Sequence, residues 1–234
     1  MKFLTTTVLL FASSLFAAGK NDKDAKDTTR RLDEAAAVFS EIMATPDKGI
    51  PRDLLADAHC VVIVPGLKKG AFIVGAKYGK GFVSCREPGG GGWSAPGAVR
   101  IEGGSFGLQI GGSESDVILL VMNKRGADKL LSSQFTLGGE GEVAAGPVGR
   151  DATAQTDAKF RAEILSWSRS RGVFAGLSLQ GATLRQDMDD NAELYGKRLE
   201  NREIVTGKTP PPPAARRLLS LLSQYSAHER ATGD

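Results

Sequence analysis

The sequence predicts an α+β or mainly β fold built on antiparallel strands, and three observations carry that prediction. Short apolar runs succeed one another through the middle of the chain with glycine between them, as in a series of hairpins. The 29 glycines exceed the ordinary share while aromatic residues make up only 6%, which favours closely turned, bulged strands over a helical bundle. No helix pattern follows most of the strands, as a doubly wound nucleotide-binding sheet requires.

Taken in order, Lys2, the apolar run Phe3–Phe16 and Ala17-Ala18-Gly19 have the form of a secretory signal peptide over residues 1–19. Its removal takes away Lys2 and lowers the net charge from +3 to +2, so local charge says more than the total. Residues 20–28 alternate acids and lysines without an apolar face and are expected to be disordered. Leu32, Ala35, Ala36, Phe39, Ile42 and Met43 recur at helical spacing, predicting an amphipathic helix over 29–44 that stops before Pro46. A short helix from Pro51, suited to a first helical position, runs to about Ala58.

Strands follow over 60–64, 71–78, 81–86, 98–101, 106–110 and 117–122, the last a continuous apolar run that reads as buried on both faces. Asn123 is placed to cap a helix through Lys124 to Leu131. Two further β segments lie around 162–169 and 173–185, and a short helix over 187–196 closes the domain with Leu194 and Tyr195 turned inward. Residues 201–213 read as a proline-rich linker ending in the polyproline spacer Pro210–Pro213, and 214–234 as a short amphipathic tail that touches a membrane or docks back on its own domain and is expected to be dispensable for the fold.

Chemistry concentrates in Cys60 to Arg86, which holds five cations, Lys68, Lys69, Lys77, Lys80 and Arg86, and no carboxylate. A basic surface on a β scaffold suits anionic head groups, with Lys68 and Lys69 projected from the Pro65-Gly66 turn and Leu67 available to enter an interfacial layer. The alternative is an ordinary solvated face. Cys60 and Cys85 fit equally a disulfide in an oxidising compartment or two free core thiols, while a zinc site with His59 lacks a fourth ligand at metal spacing.

Gly103-Gly104-Ser105-Phe106-Gly107 matches the G-x-S-x-G of serine hydrolases, with His228 downstream. Ser105 leads into the strand-like alternation of Phe106, Leu108 and Ile110 rather than into a helix, so a hydrolase at Ser105 is the distant alternative. Asp187, Asp189 and Asn191 imitate the start of a calcium loop but meet Ala192 and Arg198 where glycine and glutamate are needed. With His59 and His228 the only histidines, ordinary acid-base machinery is sparse; the expectation is a non-enzyme with no cofactor and no metal.

Pro65-Gly66 with Lys68-Lys69-Gly70, Tyr78-Gly79-Lys80-Gly81, Trp93-Ser94-Ala95-Pro96, the run Gly104-Ser105-Phe106-Gly107-Leu108-Gln109-Ile110-Gly111-Gly112 and Asp116-Val117 resemble the SYLF-domain family of lipid- and actin-binding proteins. Phe135-Thr136-Leu137-Gly138, Ala145-Gly146-Pro147-Val148-Gly149-Arg150, Ser168-Arg169-Ser170-Arg171-Gly172, Gly181-Ala182 and Tyr195-Gly196 continue the pattern in order, so the resemblance covers residues 29–200. Trp167 stands where the family often has tyrosine.

The resemblance implies a compact β-barrel-like antiparallel core wrapped by a few helices. It also implies binding to phosphoinositides or other anionic phospholipids, with no catalytic chemistry. Joined to the signal peptide, it gives the expectation of an exported bacterial-type member, peripheral to membrane in the periplasm or cell envelope. Its expected partners are anionic phospholipid and an envelope protein, not nucleic acid, and actin only as an inherited surface property. A structural or partner-binding envelope protein is the alternative.

Overall fold

A computed structural model of the protein describes residues 11–45, 49–71, 74–87, 92–106, 111–139, 142–147, 162–170, 173–174, 179–207 and 209–227. Its strands are β1 (Cys60–Ala71), β2 (Val74–Cys85), β3 (Gly97–Phe106), β4 (Gly111–Val121), β5 (Gln134–Thr136), β6 (Val143–Ala145), β7 (Ile164–Ser170), β8 (Val173–Phe174) and β9 (Thr183–Gln186). They form one sheet in the order β5-β9-β3-β2-β1-β4-β7-β6, with β8 on β7, and only the β6–β7 pair is parallel.

The two ends of that order, β5 and β6, are joined by residues 137–142 alone. A six-residue connection spans at most roughly 20 Å, so the sheet must curl back on itself. One apolar cluster accordingly collects side chains from all around the path: Phe135, Leu184, Ile101, Val83, Val62, Leu119, Ile164 and the partly buried Val143. The core is thus barrel-like, as expected, in the form of a curled half-barrel.

β4 is buried on both faces, Val117, Leu119 and Val121 inward and Ile118 and Leu120 outward. The outer face is covered by helices α1 (Phe11–Met43), α2 (Arg52–Asp57) and, at the C-terminal end, α6 (Arg216–Tyr225). Helices α3 (Lys124–Leu130), α4 (Met188–Tyr195) and α5 (Asn201–Thr206) complete the described α-helices. Asn123 caps α3 by accepting from the Gly126 N–H at 2.7 Å. Asp187 caps α4, which ends at Gly196 in the left-handed region, φ 71°.

Three boundaries differ from expectation. The strands over 60–64, 71–78 and 81–86 are two long ones, β1 and β2, because the glycines between the apolar runs serve close packing rather than turns. A Cβ on Gly81 would lie 2.0 Å from the Ile63 carbonyl oxygen, so only glycine lets β1 cross there. α1 starts well before Thr29 and includes residues 20–28; Thr28 is buried and donates to Glu193 on α4, while Arg31 meets Asp190 at 2.5 Å. Third, the segment read as 173–185 is two strands, β8 and β9, with a tight turn at Gly181, φ 73°.

The C-terminal region departs furthest. Residues 201–206 are helix α5, not linker, and bury Ile204 and Val205. The tail beyond the prolines belongs to the helical layer: Leu218 and Leu222 are buried in the same cluster as the apolar stripe of α1, and Tyr225 packs edge-on against Phe39 with ring centroids 5.9 Å apart. Trp93 Nε1 donates to Ser226 Oγ at 3.0 Å. Of the two places open to it the tail takes the docked one, and a tail dispensable for the fold is incorrect, since Leu218 and Leu222 are core residues. Among the described residues no helix is long and apolar enough to cross a membrane.

Leu218→Ala should cost about 2–4 kcal/mol by emptying a packed site, and a chain ending at Gly207 should lose cooperative unfolding. Chemical denaturation checks both; an unchanged midpoint for either would place α6 outside the core.

Candidate functional site

The candidate site grows from one irregularity in β1. Cys60, Val62 and Val64 point to the inner face, but beyond Pro65-Gly66 it is Leu67 that does so. A β-bulge accounts for this: the pairing of β1 shifts register between Ile63 and Lys68 on the β2 side and between Val64 and Leu67 on the β4 side. Gly66 stands at φ 58°, a conformation that L side chains rarely adopt, and donates its N–H to Asp116 Oδ1 at 3.1 Å. Asp116 also meets Arg169 at 3.3 Å, and Arg169 meets Glu41 of α1 at 2.6 Å.

Past the bulge β1, β2, β3 and β4 continue side by side, and pairing sorts their residues into two rows. On the outer face Lys68 lies opposite Tyr78 and Glu114, and Tyr78 opposite Glu102. Tyr78, 48% exposed, is the one exposed large hydrophobic residue among those described. On the inner face Lys69 lies opposite Lys77 and Ser113, and Lys77 opposite Gly103. A cleft of about 670 Å³ separates the outer row from α1, lined by Lys68, Tyr78, Glu114 and Asp116 on the sheet and Arg30, Arg31, Glu34 and Glu41 on the helix.

The five cations and Leu67 do not form one basic patch. Lys68 is exposed, Lys69 half-buried and Lys77 buried. Burial, then the neighbouring Lys69 charge, lowers the Lys77 pKa. Lys80 is turned to α4, 2.7 Å from Asp190 and 2.9 Å from Asp187. Burial works against its charge, but the hydrogen bonds to Asp190 and Asp187 outweigh it and hold its pKa above the ordinary lysine value.

Arg86 stacks on Trp93 with its guanidinium 4.3 Å from the ring centroid, donates to the Leu55 and Ala56 carbonyls, and ties β2 to α2. Burial lowers its pKa, partly offset by Asp57. Leu67 is buried in the interior and is not available to a membrane, because the bulge reverses the side on which it projects. The run is free of acids along the chain but not in space, where Glu102, Glu114, Asp187 and Asp190 stand beside its lysines and Tyr78.

Cys60 and Cys85 are directly paired across β1 and β2 and form a disulfide. Ser105 lies in β3 opposite Gly75, and β3 is followed by the antiparallel β4 rather than by a helix, so no nucleophile elbow is formed; His228 lies outside the described residues. Among the described residues no group of three or more His, Cys, Asp or Glu could hold a metal ion. Tyr78 has no role in the sequence reading beyond its place in a motif, and the α4 partners of Lys80 leave no signal there as partners. Asp187 and Asp190 carry only a helix-start signal.

The described residues thus form a helix-wrapped curled sheet with paired rows of polar side chains at one end. The chain belongs to the Ysc84 family, described as a Las17-binding protein actin regulator, which matches residues 102–225 and so includes α6. It is 34% identical over 204 residues to the human SH3 domain-containing YSC84-like protein 1, covering 86% of this chain and 59% of that one. The Rattus norvegicus protein of that name is 32% identical over 211 residues, 89% of this chain and 62% of the relative. LAS seventeen-binding protein 3 of Saccharomyces cerevisiae (strain YJM789) is 33% identical over 188 residues, 79% of this chain and 40% of the relative. The chain thus spans about three-fifths of the length of the YSC84-like relatives it matches.

Asp187 is buried yet held below the ordinary carboxylate range: burial pushes its pKa up, and the hydrogen bonds from Lys80 and the Asp190 N–H pull it further down. A depressed carboxylate stabilises the fold above its unfolded value of about 3.9 and loses that contribution as pH falls through its folded value; the raised Lys80 contributes below about 10.4 and loses it as pH climbs through its folded value. Lys80→Met should therefore cost about 3–5 kcal/mol at pH 7 by removing the cation that bridges two buried carboxylates, Asp187 and Asp190. It should also flatten the stability profile below pH ~4 and above pH ~10. An unchanged profile in pH-dependent urea unfolding would contradict this network.

Proposed function

We propose that the chain is a non-catalytic binding domain that docks on anionic phospholipid membrane through the end of the sheet beyond the bulge, with Lys68 and Tyr78 as its outer contacts. The observation that carries the reading is their direct cross-strand pairing on the exposed outer face. A lysine near an anionic surface contributes about 1 kcal/mol, and a tyrosine suits the interface because its ring is apolar and its hydroxyl is polar. In the sequence Phe72-Ile73 lie between β1 and β2, and Gly107-Leu108-Gln109-Ile110 between β3 and β4, both carrying large apolar side chains.

Glu102 and Glu114 flank the pair and oppose adsorption, so electrostatics alone is modest and the apolar contribution must share the work. The compartment proposed is the periplasm or cell envelope after removal of residues 1–19, the lipid head group being of phosphoinositide type or another anionic kind. A second reading comes from the family's own description, an actin regulator that binds Las17: the same surface would take a protein partner.

Co-sedimentation with vesicles separates the two. The chain from Lys20 should bind phosphatidylglycerol vesicles and not phosphatidylcholine vesicles, more weakly as salt rises, and Lys68→Glu with Tyr78→Ala should abolish binding while leaving the melting temperature unchanged. Equal binding to both vesicles, or undiminished binding by the folded double variant, would overturn the reading. Pelleting with filamentous actin but not with either vesicle would favour the protein partner.

A further inference from the structure

On the outer face, strand pairing sets Lys80 of β2, Arg100 of β3, Arg185 of β9 and Gln134 of β5 in a single row. Lys80 lies directly opposite Arg100, and Arg100 directly opposite Arg185. Like charges so placed repel across a sheet, and carboxylates must offset them. Lys80 is met by Asp187 and Asp190, and Asp190 also by Arg31. Arg100 and Arg185 share Glu102: Arg100 Nε lies 2.7 Å from its Oε1 and Arg185 Nε 3.7 Å from its Oε2, while Arg100 reaches Asp187 only at 3.9 Å. One carboxylate thus serves two guanidiniums, and it leaves them under-used as donors. Arg100 Nε and Arg185 Nε are buried without an aligned hydrogen-bond acceptor among the described residues.

We infer that Arg100 and Arg185 form a site for a phosphomonoester group carried by a membrane lipid. Each guanidinium is a rigid fork of N–H donors, and two forks on adjacent strands call for more acceptor oxygens than the two of Glu102. A terminal phosphate brings three strong acceptor oxygens and about two charges; the diester phosphate of an ordinary phospholipid keeps only two of its oxygens free and carries one charge. The local balance favours an anion as well, since Arg31, Lys80, Arg100 and Arg185 face only Asp187, Asp190 and Glu102 in this network. The two arginine side chains are 32% and 42% exposed, so a head group reaches them from solvent without a cleft. Glu102 lies opposite Tyr78, which puts the site one row from the docking pair on the same face. The inference rests on the membrane-docking reading for the source of the phosphate, and it names the head group that the docked surface selects.

The decisive variant keeps charge and removes the forks: Arg100→Lys with Arg185→Lys, in the full chain. With vesicles of equal surface charge, the parent should bind phosphatidic acid, a phosphomonoester, about ten-fold more tightly than phosphatidylglycerol. The double lysine variant should bind phosphatidylglycerol like the parent and show no preference for phosphatidic acid. Thermal melting in potassium phosphate against potassium chloride at matched ionic strength gives a readout without membrane. The parent should melt at higher temperature in phosphate, the shift growing with the logarithm of concentration, and the variant should show no such shift. If the double variant melts far below the parent in chloride, Arg185→Lys alone, at the more exposed of the two positions, must weaken the same preference.

A preference for phosphatidic acid without a response to free phosphate supports the lipid as the source of the group, and a response to both supports the same site with either source. Failure of the docking reading is seen separately: a parent that ignores every vesicle but is stabilised by phosphate, through Arg100 and Arg185, keeps the site and loses the membrane. Indifference of the parent to both phosphatidic acid and phosphate would overturn the inference, as would folded lysine variants that respond like the parent.

Discussion

The bulge at Pro65-Gly66 is the constraint on which the rest of the site depends. An uninterrupted strand with Val62 and Val64 inward would also turn Lys68 inward and leave Leu67 and Lys69 outside. The extra residue reverses that parity in β1 alone, while β2 and β4 keep theirs, so the core gains Leu67 and the outer face gains Lys68 beside Tyr78. The bulge is held by a chain of contacts that begins on α1: Glu41 to Arg169, Arg169 to Asp116, Asp116 to the Gly66 N–H. Valine or another β-branched residue at position 66 would face an unfavourable φ of 58°, whatever room the flexible Glu114 side chain beside it can make.

A second set of polar contacts fixes the other end of β3. Asn191 accepts from the Ala98 N–H at 2.7 Å and donates to the Leu199 carbonyl and to Asn201, which donates back to the Ala98 carbonyl. Both amides are buried, so each unmet hydrogen bond would carry a desolvation cost, and the network specifies how α4 and α5 seat on the sheet. Tyr195 donates to the Pro96 carbonyl at 2.6 Å, and burial raises its pKa, so the phenol stays neutral and keeps donating. Together with Lys80 between Asp187 and Asp190, and Arg31 on Asp190, these contacts make α4 the joint between α1, β2 and β3.

Much of this was legible in the chain. The i, i+3, i+4 spacing from Leu32 to Ile42 marked the buried stripe of α1, Asn123 marked a helix start, and the continuous apolar run in β4 marked a strand buried on both faces. The curled architecture followed from the family resemblance, and the short link from β5 to β6 shows why it must hold. What the chain concealed was parity and distance. A bulge breaks the period-two pattern that would say which lysine faces where, and partners more than a hundred residues away, Asp187 and Asp190 for Lys80, leave no local trace. The place of the tail is ambiguous for a related reason: an amphipathic helix after four prolines looks the same whether its apolar stripe meets water, lipid or α1.

On this reading the domain meets its target with one surface, the outer row beyond the bulge. The most direct measurement is the fluorescence of Tyr78→Trp, taken as a difference from the parent because Trp93 and Trp167 are buried. On addition of phosphatidylglycerol vesicles the new indole should shift to shorter wavelength and be quenched by lipids brominated near the head group, with no change on phosphatidylcholine. Co-sedimentation of that same variant with the anionic vesicles, with its emission unmoved and unquenched, would show that the membrane is met by some other face.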